Sequence, residues 1–398
     1  MTPPALADRP VRPARRRFLG SLAAVAAWCA AAGRPMAAWA LERLPGKWPL
    51  RRLTHRPPNY ETPLEHFRSA ITPNEAFFVR YHHAMIPEVD AAAFRLEVLG
   101  AGVERPLVLT LAELRDGFTP VTVTAVCQCS GNRRGLFEPP VPGLQWGHGA
   151  MGCAVWRGVR LAEVLARAGL KDAAVEVAFD AVDAPPLEGT PDFIKSLPRG
   201  KALHPDTLLA WEMNGRPLPR LNGFPLRLVV PGWTATYWIK HVARIEALLE
   251  PARGFWMATA YRMPRAAFPL VERFPSQESG ERAPVTEIAV NSLITEASAD
   301  AGGVTVRGIA WDAGHGIDRI EVTLDGGASW TSAQFGPDLG RYAFRTWELR
   351  APKPAAGRRE AWARAANRAG QVQVATPIPN PSGYQHNGFH RVPFEVPA

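Results

Sequence analysis

The part of the sequence after Pro284 most constrains the fold, because strand-forming segments recur there at intervals of about a dozen residues. The predicted strands cover residues 286–293, 303–312, 317–324, 342–349 and 361–367. Turn-forming Asp-Gly-Gly and Asn-Arg-Ala-Gly sequences lie at the ends of the third and the fifth of them. This spacing predicts an all-β, immunoglobulin-like sandwich over residues 281–398.

The region before Pro284 mixes strands and short helices without a regular alternation. Strands are predicted at residues 94–99, 120–126 and 174–180, and short helices at residues 110–114 and 160–168. This mixture predicts an α+β domain over residues 76–280. The Pro- and Arg-rich residues 41–75 are expected to form an extended lead-in. With 398 residues, 46% of them apolar, the chain can bury the cores of two domains.

Residues 1–40 have the composition of an export signal. An apolar run over residues 19–32 follows three consecutive arginines at positions 15–17, and Ala-Trp-Ala at positions 38–40 supplies small residues for cleavage. The arginines predict a twin-arginine signal, and therefore a periplasmic protein that is exported folded because it carries a cofactor. The alternative is a membrane anchor, which is disfavoured because the run is short and is interrupted by Gly-Arg-Pro at 33–35.

The charge of the chain does not indicate a nucleic-acid partner. The net charge of +9 includes six arginines and one aspartate within residues 1–40, so removal of the signal leaves about +4. This excess is small and scattered, whereas nucleic-acid-binding domains concentrate basic residues in a patch. We therefore expect no nucleic-acid binding. Because the apolar run at residues 19–32 is short, we also expect no stable membrane insertion.

Three of the four cysteines remain after residue 40, namely Cys127, Cys129 and Cys153. Cys129 follows a predicted strand and precedes Ser-Gly-Asn and two arginines, so loop amides and positive charge favour its thiolate, the form that binds soft metals. The alternative is a buried structural cysteine, which the adjacent arginines disfavour. Cys127 is a candidate second ligand, whereas the apolar context of Cys153 is typical of a core residue.

Several motifs occur in the same order as in the molybdopterin-binding domain of the sulfite oxidase family, which this chain resembles. They are residues 77–82 (FFVRYH), 129–134 (CSGNRR), 211–215 (WEMNG) and 222–227 (NGFPLR), followed by Pro231-Gly232 and Lys240. The resemblance extends from Phe77 to the C-terminus, where the sandwich resembles the dimerisation domain of the family. Residues 255–264 and 388–393 are similar to the bacterial members that transfer electrons from sulfite to cytochrome c. The resemblance implies a molybdenum–molybdopterin cofactor and oxidation of sulfite to sulfate.

The resemblance also implies a role for each matching residue, with Cys129 as the single protein thiolate on molybdenum. The implied catalytic residues are Arg80, His82, Arg134, Tyr261 and Arg391. Their three guanidinium groups would form a cationic pocket for a small dianion. The residues implied to hold the pterin and its phosphate are Phe78, Arg80, His82, Asp183, Asn222, Arg227, Trp238, Ile239 and Lys240.

This chain departs from the family pattern at two of these motifs. Each matching residue, taken alone, also has a non-catalytic interpretation. Asn222 stands where the vertebrate enzymes have a histidine, so this contact cannot titrate, and Trp211 replaces a tyrosine at an expected packing position. Judged singly, Arg391 is typical of a solvated tail residue and His82 of a structural histidine. Only the combination of residues indicates a catalytic site.

The expected partners follow from the same resemblance. The sequence contains no Cys-x-x-Cys-His haem-attachment motif, so we expect no haem in this chain and a c-type cytochrome, bound or soluble, as electron acceptor. The sandwich is compatible with a homodimer or with a bound cytochrome subunit, and we slightly favour the second. Two other functions stay open: the same chemistry on sulfane sulfur or a sulfoxide, and a non-catalytic exported binding protein in which Cys129 is structural.

Overall fold

The computed structural model describes residues 41–269 and 271–398, and the predicted signal over residues 1–40 lies outside them. The first sheet is antiparallel, with the strand order β1-β2-β3-β4. Its strands are β1 (Leu41–Arg43), β2 (Pro49–Thr54), β3 (Asn59–Glu61) and β4 (Val79–Arg80). Residues 41–75 were expected to form an extended lead-in, but they supply three paired strands and a 3-10 turn at Leu64–Arg68. These strands form a sheet because β3 pairs with β4.

Two further sheets share one apolar core. The first has the order β10-β9-β14-β5-β6 and the second the order β12-β11-β8-β7, with β13 paired to β11. Strands of the first are β5 (Arg95–Leu99), β6 (Leu107–Thr110), β9 (Glu176–Ala181), β10 (Lys195–Pro198) and β14 (Val242–Leu248). Strands of the second are β7 (Val121–Gln128), β8 (Met151–Arg160), β11 (Leu208–Met213), β12 (Arg216–Pro217) and β13 (Arg227–Val229). Buried Trp156, Leu228 and Ile245 belong to the common core.

Short helices connect these strands. They are α1 (Leu111–Asp116), α2 (Leu161–Arg167), α3 (Arg199–Ala202) and α4 (Phe255–Ala258), with 3-10 turns at Arg134–Leu136, Arg220–Asn222, Ala235–Tyr237 and Pro275–Gln277. Helix α1 begins with a capping box, in which the Thr110 hydroxyl accepts from the Glu113 amide at 3.1 Å and the Glu113 carboxylate accepts from the Thr110 amide at 2.8 Å. The predicted helices at 110–114 and 160–168 therefore coincide with α1 and α2.

A hairpin of β15 (Arg262–Pro264) and β16 (Arg282–Pro284) leads into two antiparallel four-stranded sheets, ordered β17-β18-β22-β21 and β20-β19-β23-β24. Their strands are β17 (Asn291–Asp300), β18 (Gly303–Trp311), β19 (Ile317–Thr323), β20 (Thr331–Ser332), β21 (Gln334–Phe335), β22 (Arg345–Ala351), β23 (Gly357–Asn367) and β24 (His390–Val396). Their inner faces pack together around Val306, Ile320 and Trp347. The prediction of an α+β domain followed by an all-β sandwich is confirmed.

The end of β7 is held against the sandwich. Val126 and Cys153 pack with Leu293, Trp311 and other apolar side chains of the sandwich. At the last residue of the strand, the Trp311 indole donates to Gln128 Oε1 at 2.6 Å. The Arg133 guanidinium donates to Asn291 Oδ1 at the same distance. The loop that carries Cys129 is therefore fixed from both sides.

Candidate active site

A cavity opens where β7 ends, beside the loop that carries Cys129. Eleven of the residues predicted from the sequence line it: Phe78, Arg80, His82, Cys129, Asp183, Asn222, Arg227, Trp238, Ile239, Lys240 and Tyr261. We call this space the cofactor cavity. Ser130, Phe193 and Thr236 also line it and were not predicted.

A second cavity adjoins the first and shares Arg80, Cys129 and Tyr261 with it. We call it the substrate cavity, and its further lining residues include Arg134, Trp256, Ser382 and Tyr384. Arg134 was predicted at the site, but the other three were not. Ser382 and Tyr384 come from the loop before β24, and the sequence gives no signal that this loop folds back onto the α+β domain.

Arg391 does not lie at either cavity, which corrects its sequence-based placement. It is exposed on β24, with its guanidinium carbon 3.9 Å from the centre of the Trp362 ring on the neighbouring strand. Alternation along β24 buries the adjacent His390 and therefore turns Arg391 outwards. The C-terminal region contributes to the site through Ser382 and Tyr384 instead.

Cys129 is the thiol that faces both cavities. Its amide donates to the Ala150 carbonyl at 2.9 Å, and its own carbonyl accepts from the Asn132 amide at 2.9 Å, which closes a tight turn. Glycine at position 131 leaves room for the guanidinium, because a Cβ there would lie 2.5 Å from Arg134 Nη1. The sequence CSGNRR therefore brings a thiol and a guanidinium to the same opening.

The other two described cysteines lie outside both cavities. Cys127 is buried on β7 and accepts from Arg227 Nη2 at 3.2 Å, and burial raises the pKa of its thiol. The structure thus gives no support to Cys127 as a second ligand. Cys153 is buried in the apolar contact with the sandwich, as predicted, and burial raises its pKa to about 12.

The wall of the cofactor cavity is cationic. Arg227 is buried against the rings of Trp156 and Trp238, and its Nε has no hydrogen-bond partner among the described residues. The Lys240 ammonium donates to the Arg80 carbonyl at 2.5 Å, and burial lowers its pKa. Asp183 is the carboxylate in this wall, and it lies 3.2 Å from His83 Nδ1. An anionic ligand would offset this excess of positive charge.

A hydrogen-bonded pair of titratable groups lies at the boundary between the cavities. His82 Nε2 lies 2.6 Å from the Tyr261 hydroxyl, and the imidazole stacks on Phe193 with ring centres 3.6 Å apart. Burial lowers the pKa of His82, followed by repulsion from Arg80, and burial raises the pKa of Tyr261. Both groups are therefore neutral near pH 7, and their hydrogen bond aligns the Tyr261 hydroxyl with the imidazole.

Protein ligands alone do not complete a metal centre here. Within residues 41–269 and 271–398, no group of three or more His, Cys, Asp or Glu side chains converges to hold a metal ion. A metal bound to the Cys129 thiolate would therefore take its other ligands from a cofactor or solvent. None of the helices in the same residues is long and apolar enough to cross a membrane.

Two protein families match this chain. The family described as "Oxidoreductase molybdopterin binding domain" matches residues 83–256, and the one described as "Mo-co oxidoreductase dimerisation domain" matches residues 282–396. The fold is also similar to the crystal structure of the sulfane dehydrogenase SoxCD from Paracoccus pantotrophus. That similarity has a TM-score of 0.73 at 25% sequence identity, and it covers 96% of this chain and 94% of the other.

Curated relatives agree with these matches. Human mitochondrial sulfite oxidase is 37% identical over 85% of this chain, which spans 64% of the length of that protein. Chicken sulfite oxidase is 36% identical over 86% of this chain and 77% of its own length. The motifs, the cationic cavity at Cys129 and these similarities agree, and the chain belongs to the sulfite oxidase family of molybdenum oxidoreductases.

Proposed function

We propose that this protein oxidises sulfite to sulfate at a molybdenum–pterin centre in the periplasm and passes the electrons to a c-type cytochrome. In this reaction sulfite and water give sulfate, two electrons and two protons. One observation carries the proposal: the Cys129 thiol faces the cationic cofactor cavity on one side and a cavity lined by Arg80, Arg134 and Tyr261 on the other.

The residues present fit the molybdenum–pterin cofactor. The unpartnered Arg227 Nε and the buried ammonium of Lys240 suit an anionic phosphate, and the Cys129 thiolate suits a soft metal. Asp183, Asn222 and the indole of Trp238 would surround the pterin. When bound, the metal supplies the two-electron redox couple and the oxygen transfer to sulfur.

The arginines of the substrate cavity are fixed before substrate arrives. Arg134 Nε donates to the Ser382 carbonyl at 2.7 Å and its Nη1 to the Leu144 carbonyl at 3.2 Å, while the Arg80 guanidinium donates to the Tyr81 carbonyl. Guanidinium groups held in this way bind and orient a small dianion without a further loss of side-chain entropy. The neutral His82 imidazole, bonded to the Tyr261 hydroxyl, offers one nitrogen that can accept one of the two protons that water releases, and the other proton passes to solvent.

The location and the electron acceptor are proposed from the sequence. The twin-arginine pattern within residues 1–40 supports export to the periplasm, and the lack of a Cys-x-x-Cys-His motif supports transfer of electrons to a separate cytochrome. The match of residues 282–396 to a dimerisation domain supports association through the sandwich, as a homodimer or with a cytochrome subunit.

A second candidate substrate is sulfane sulfur carried on a thiol. The position of Arg391 favours it, because the substrate cavity then has two arginines rather than three and suits a less charged substrate. The similarity to a sulfane dehydrogenase also supports it. This candidate needs the same cofactor and the same Cys129 ligand, so the two differ only in what enters the substrate cavity.

The test is an assay of the purified protein after expression with cofactor available. We expect about one molybdenum per chain and reduction of cytochrome c that depends on sulfite. Activity with a carrier-bound persulfide or a sulfoxide, and none with sulfite, would replace the sulfite assignment. Protein without molybdenum would instead support a non-catalytic binding protein.

A further inference from the structure

A buried lysine from the first sheet lies behind the cofactor cavity without lining it. Lys47 follows β1 and is only 4% exposed. Its ammonium donates to Asn222 Oδ1 at 2.6 Å, to the Asn74 carbonyl at 2.6 Å and to the Phe77 carbonyl at 3.1 Å. All three of its N–H groups therefore have partners.

No carboxylate within the described part of the chain forms an ion pair with this ammonium. Burial lowers the pKa of Lys47 to about 7, and Glu75, the acid whose charge opposes this effect, is bonded to Arg216 at 2.7 Å. An ammonium in such a place costs free energy unless its hydrogen bonds are well formed. The bond to Asn222 is the one that connects it to the cofactor cavity.

Asn222 passes this connection on to two other parts of the cavity wall. Its Nδ2 donates to the Phe78 carbonyl at 3.2 Å, and its backbone carbonyl accepts from Arg227 Nη1 at 3.0 Å. Phe78, Asn222 and Arg227 all line the cofactor cavity. Asn222 therefore links two parts of the wall, the segment that leads into β4 through its side-chain amide and the buried arginine through its backbone carbonyl. Lys47 fixes the orientation of the side-chain amide.

We propose that Lys47 is a positioning residue for the cofactor, because its hydrogen bond to Asn222 Oδ1 fixes the wall formed by Phe78, Asn222 and Arg227. Asparagine suits this arrangement, since its amide offers an acceptor to the ammonium and a donor to the Phe78 carbonyl. A protonated histidine at position 222 would present donors only to a neighbouring cation. The proposal rests on the family cofactor and not on which sulfur compound is oxidised.

The experiment measures the rate at which bound pterin leaves the purified holoprotein in urea below the unfolding transition. Released pterin is followed by its fluorescence after oxidation. We expect Lys47→Met to release pterin about tenfold faster than the wild type, and Lys47→Arg to restore much of the difference. The matched control is Lys201→Met, because Lys201 is a partly buried lysine that is bonded to the Pro231 carbonyl at 3.0 Å and lies outside the cofactor cavity. This control should release pterin at the wild-type rate.

A double-mutant comparison separates positioning from general stability. If Lys47 acts through Asn222, then Lys47→Met should add less than about twofold to the release rate of Asn222→Ala. Release of pterin at the wild-type rate from folded Lys47→Met would overturn the proposal. So would a release rate in the double variant that is raised by the product of the two single effects. If Lys47→Met does not fold, the same measurement is made on Lys47→Gln. Release of pterin from that variant at the wild-type rate would also overturn the proposal. A lack of sulfite turnover would leave these rates unchanged and would refute only the proposed substrate.

Discussion

Arg134 Nε donates a hydrogen bond to the backbone carbonyl of Ser382 at 2.7 Å, which joins the Cys129 loop to the loop before β24. The same guanidinium lies 5.2 Å from the centre of the Tyr384 ring. The substrate cavity is therefore built jointly by the α+β domain and the C-terminal region. Its anion-binding strength depends on how firmly this contact holds Arg134.

The first prediction concerns this arginine. Arg134→Gln removes a fixed positive charge from the substrate cavity, and a charged hydrogen bond is worth about 1.5–3 kcal/mol. We therefore expect the KM for sulfite to rise by about tenfold to a hundredfold, with much less change in bound molybdenum. Steady-state reduction of cytochrome c over a range of sulfite concentrations measures the effect.

Arg391 is the matched control for that variant. Because its guanidinium packs on Trp362 at the exposed face of the sandwich, Arg391→Gln should leave the KM for sulfite within about twofold of the wild type. A large rise in KM for Arg391→Gln, with none for Arg134→Gln, would mean that the anion binds somewhere other than the substrate cavity.

The second prediction concerns the pair at the boundary between the cavities. Tyr261→Phe removes the hydroxyl that lies 2.6 Å from His82 Nε2. General acid–base groups contribute about 10²–10⁴ to rates, so kcat should fall by at least about tenfold while KM changes less. Tyr237→Phe is the control, since the buried Tyr237 hydroxyl has no partner within the described residues and lies outside both cavities. Equal loss of kcat in both variants would contradict a specific role for Tyr261.

The third prediction is that the protein loses stability as the pH falls below about 6.5. Burial lowers the pKa of His241, His386 and His390 from 6.5 to about 3. His390 also accepts from the Ile294 amide at 2.9 Å, a bond that protonation of Nδ1 would break. Between pH 6.5 and 3 the unfolded chain therefore binds protons that the folded chain does not.

Each of these histidines should lower the free energy of unfolding by about 1.4 kcal/mol per pH unit across that window. Urea unfolding at several pH values measures the slope. His386→Gln should make the slope shallower, whereas His55→Gln, which changes an exposed side chain, should not. An increase in stability on acidification would contradict the prediction.

Features set by local sequence could be predicted, and features set by distant partners could not. The capping box at Thr110 and the turn at Cys129 depend on neighbouring residues, so the sequence indicates both. The sheet formed by residues 41–75 depends on pairing with β4, and the role of Lys47 depends on Asn222, 175 positions away. Neither relationship leaves a periodic pattern in the sequence.

The misplacement of Arg391 has a similar cause. The family motif at residues 388–393 identified the right region, but the side chains of a strand alternate between two faces, and the motif alone does not say which face meets the site. In the structure His390 faces the interior and Arg391 faces solvent, while Ser382 and Tyr384 in the preceding loop reach the substrate cavity. The contact between the two domains decides which side chains of the C-terminal region reach the substrate cavity. The properties of single residues do not show this contact.

The central claim is that Cys129 is the protein ligand of molybdenum, and X-ray absorption at the molybdenum edge of the purified holoprotein tests it most directly. We predict that Cys129→Ser removes one sulfur from the metal coordination and abolishes turnover, whereas Cys127→Ser preserves the full sulfur coordination. An unchanged number of sulfur ligands in Cys129→Ser, or a lost sulfur in Cys127→Ser, would contradict the assignment.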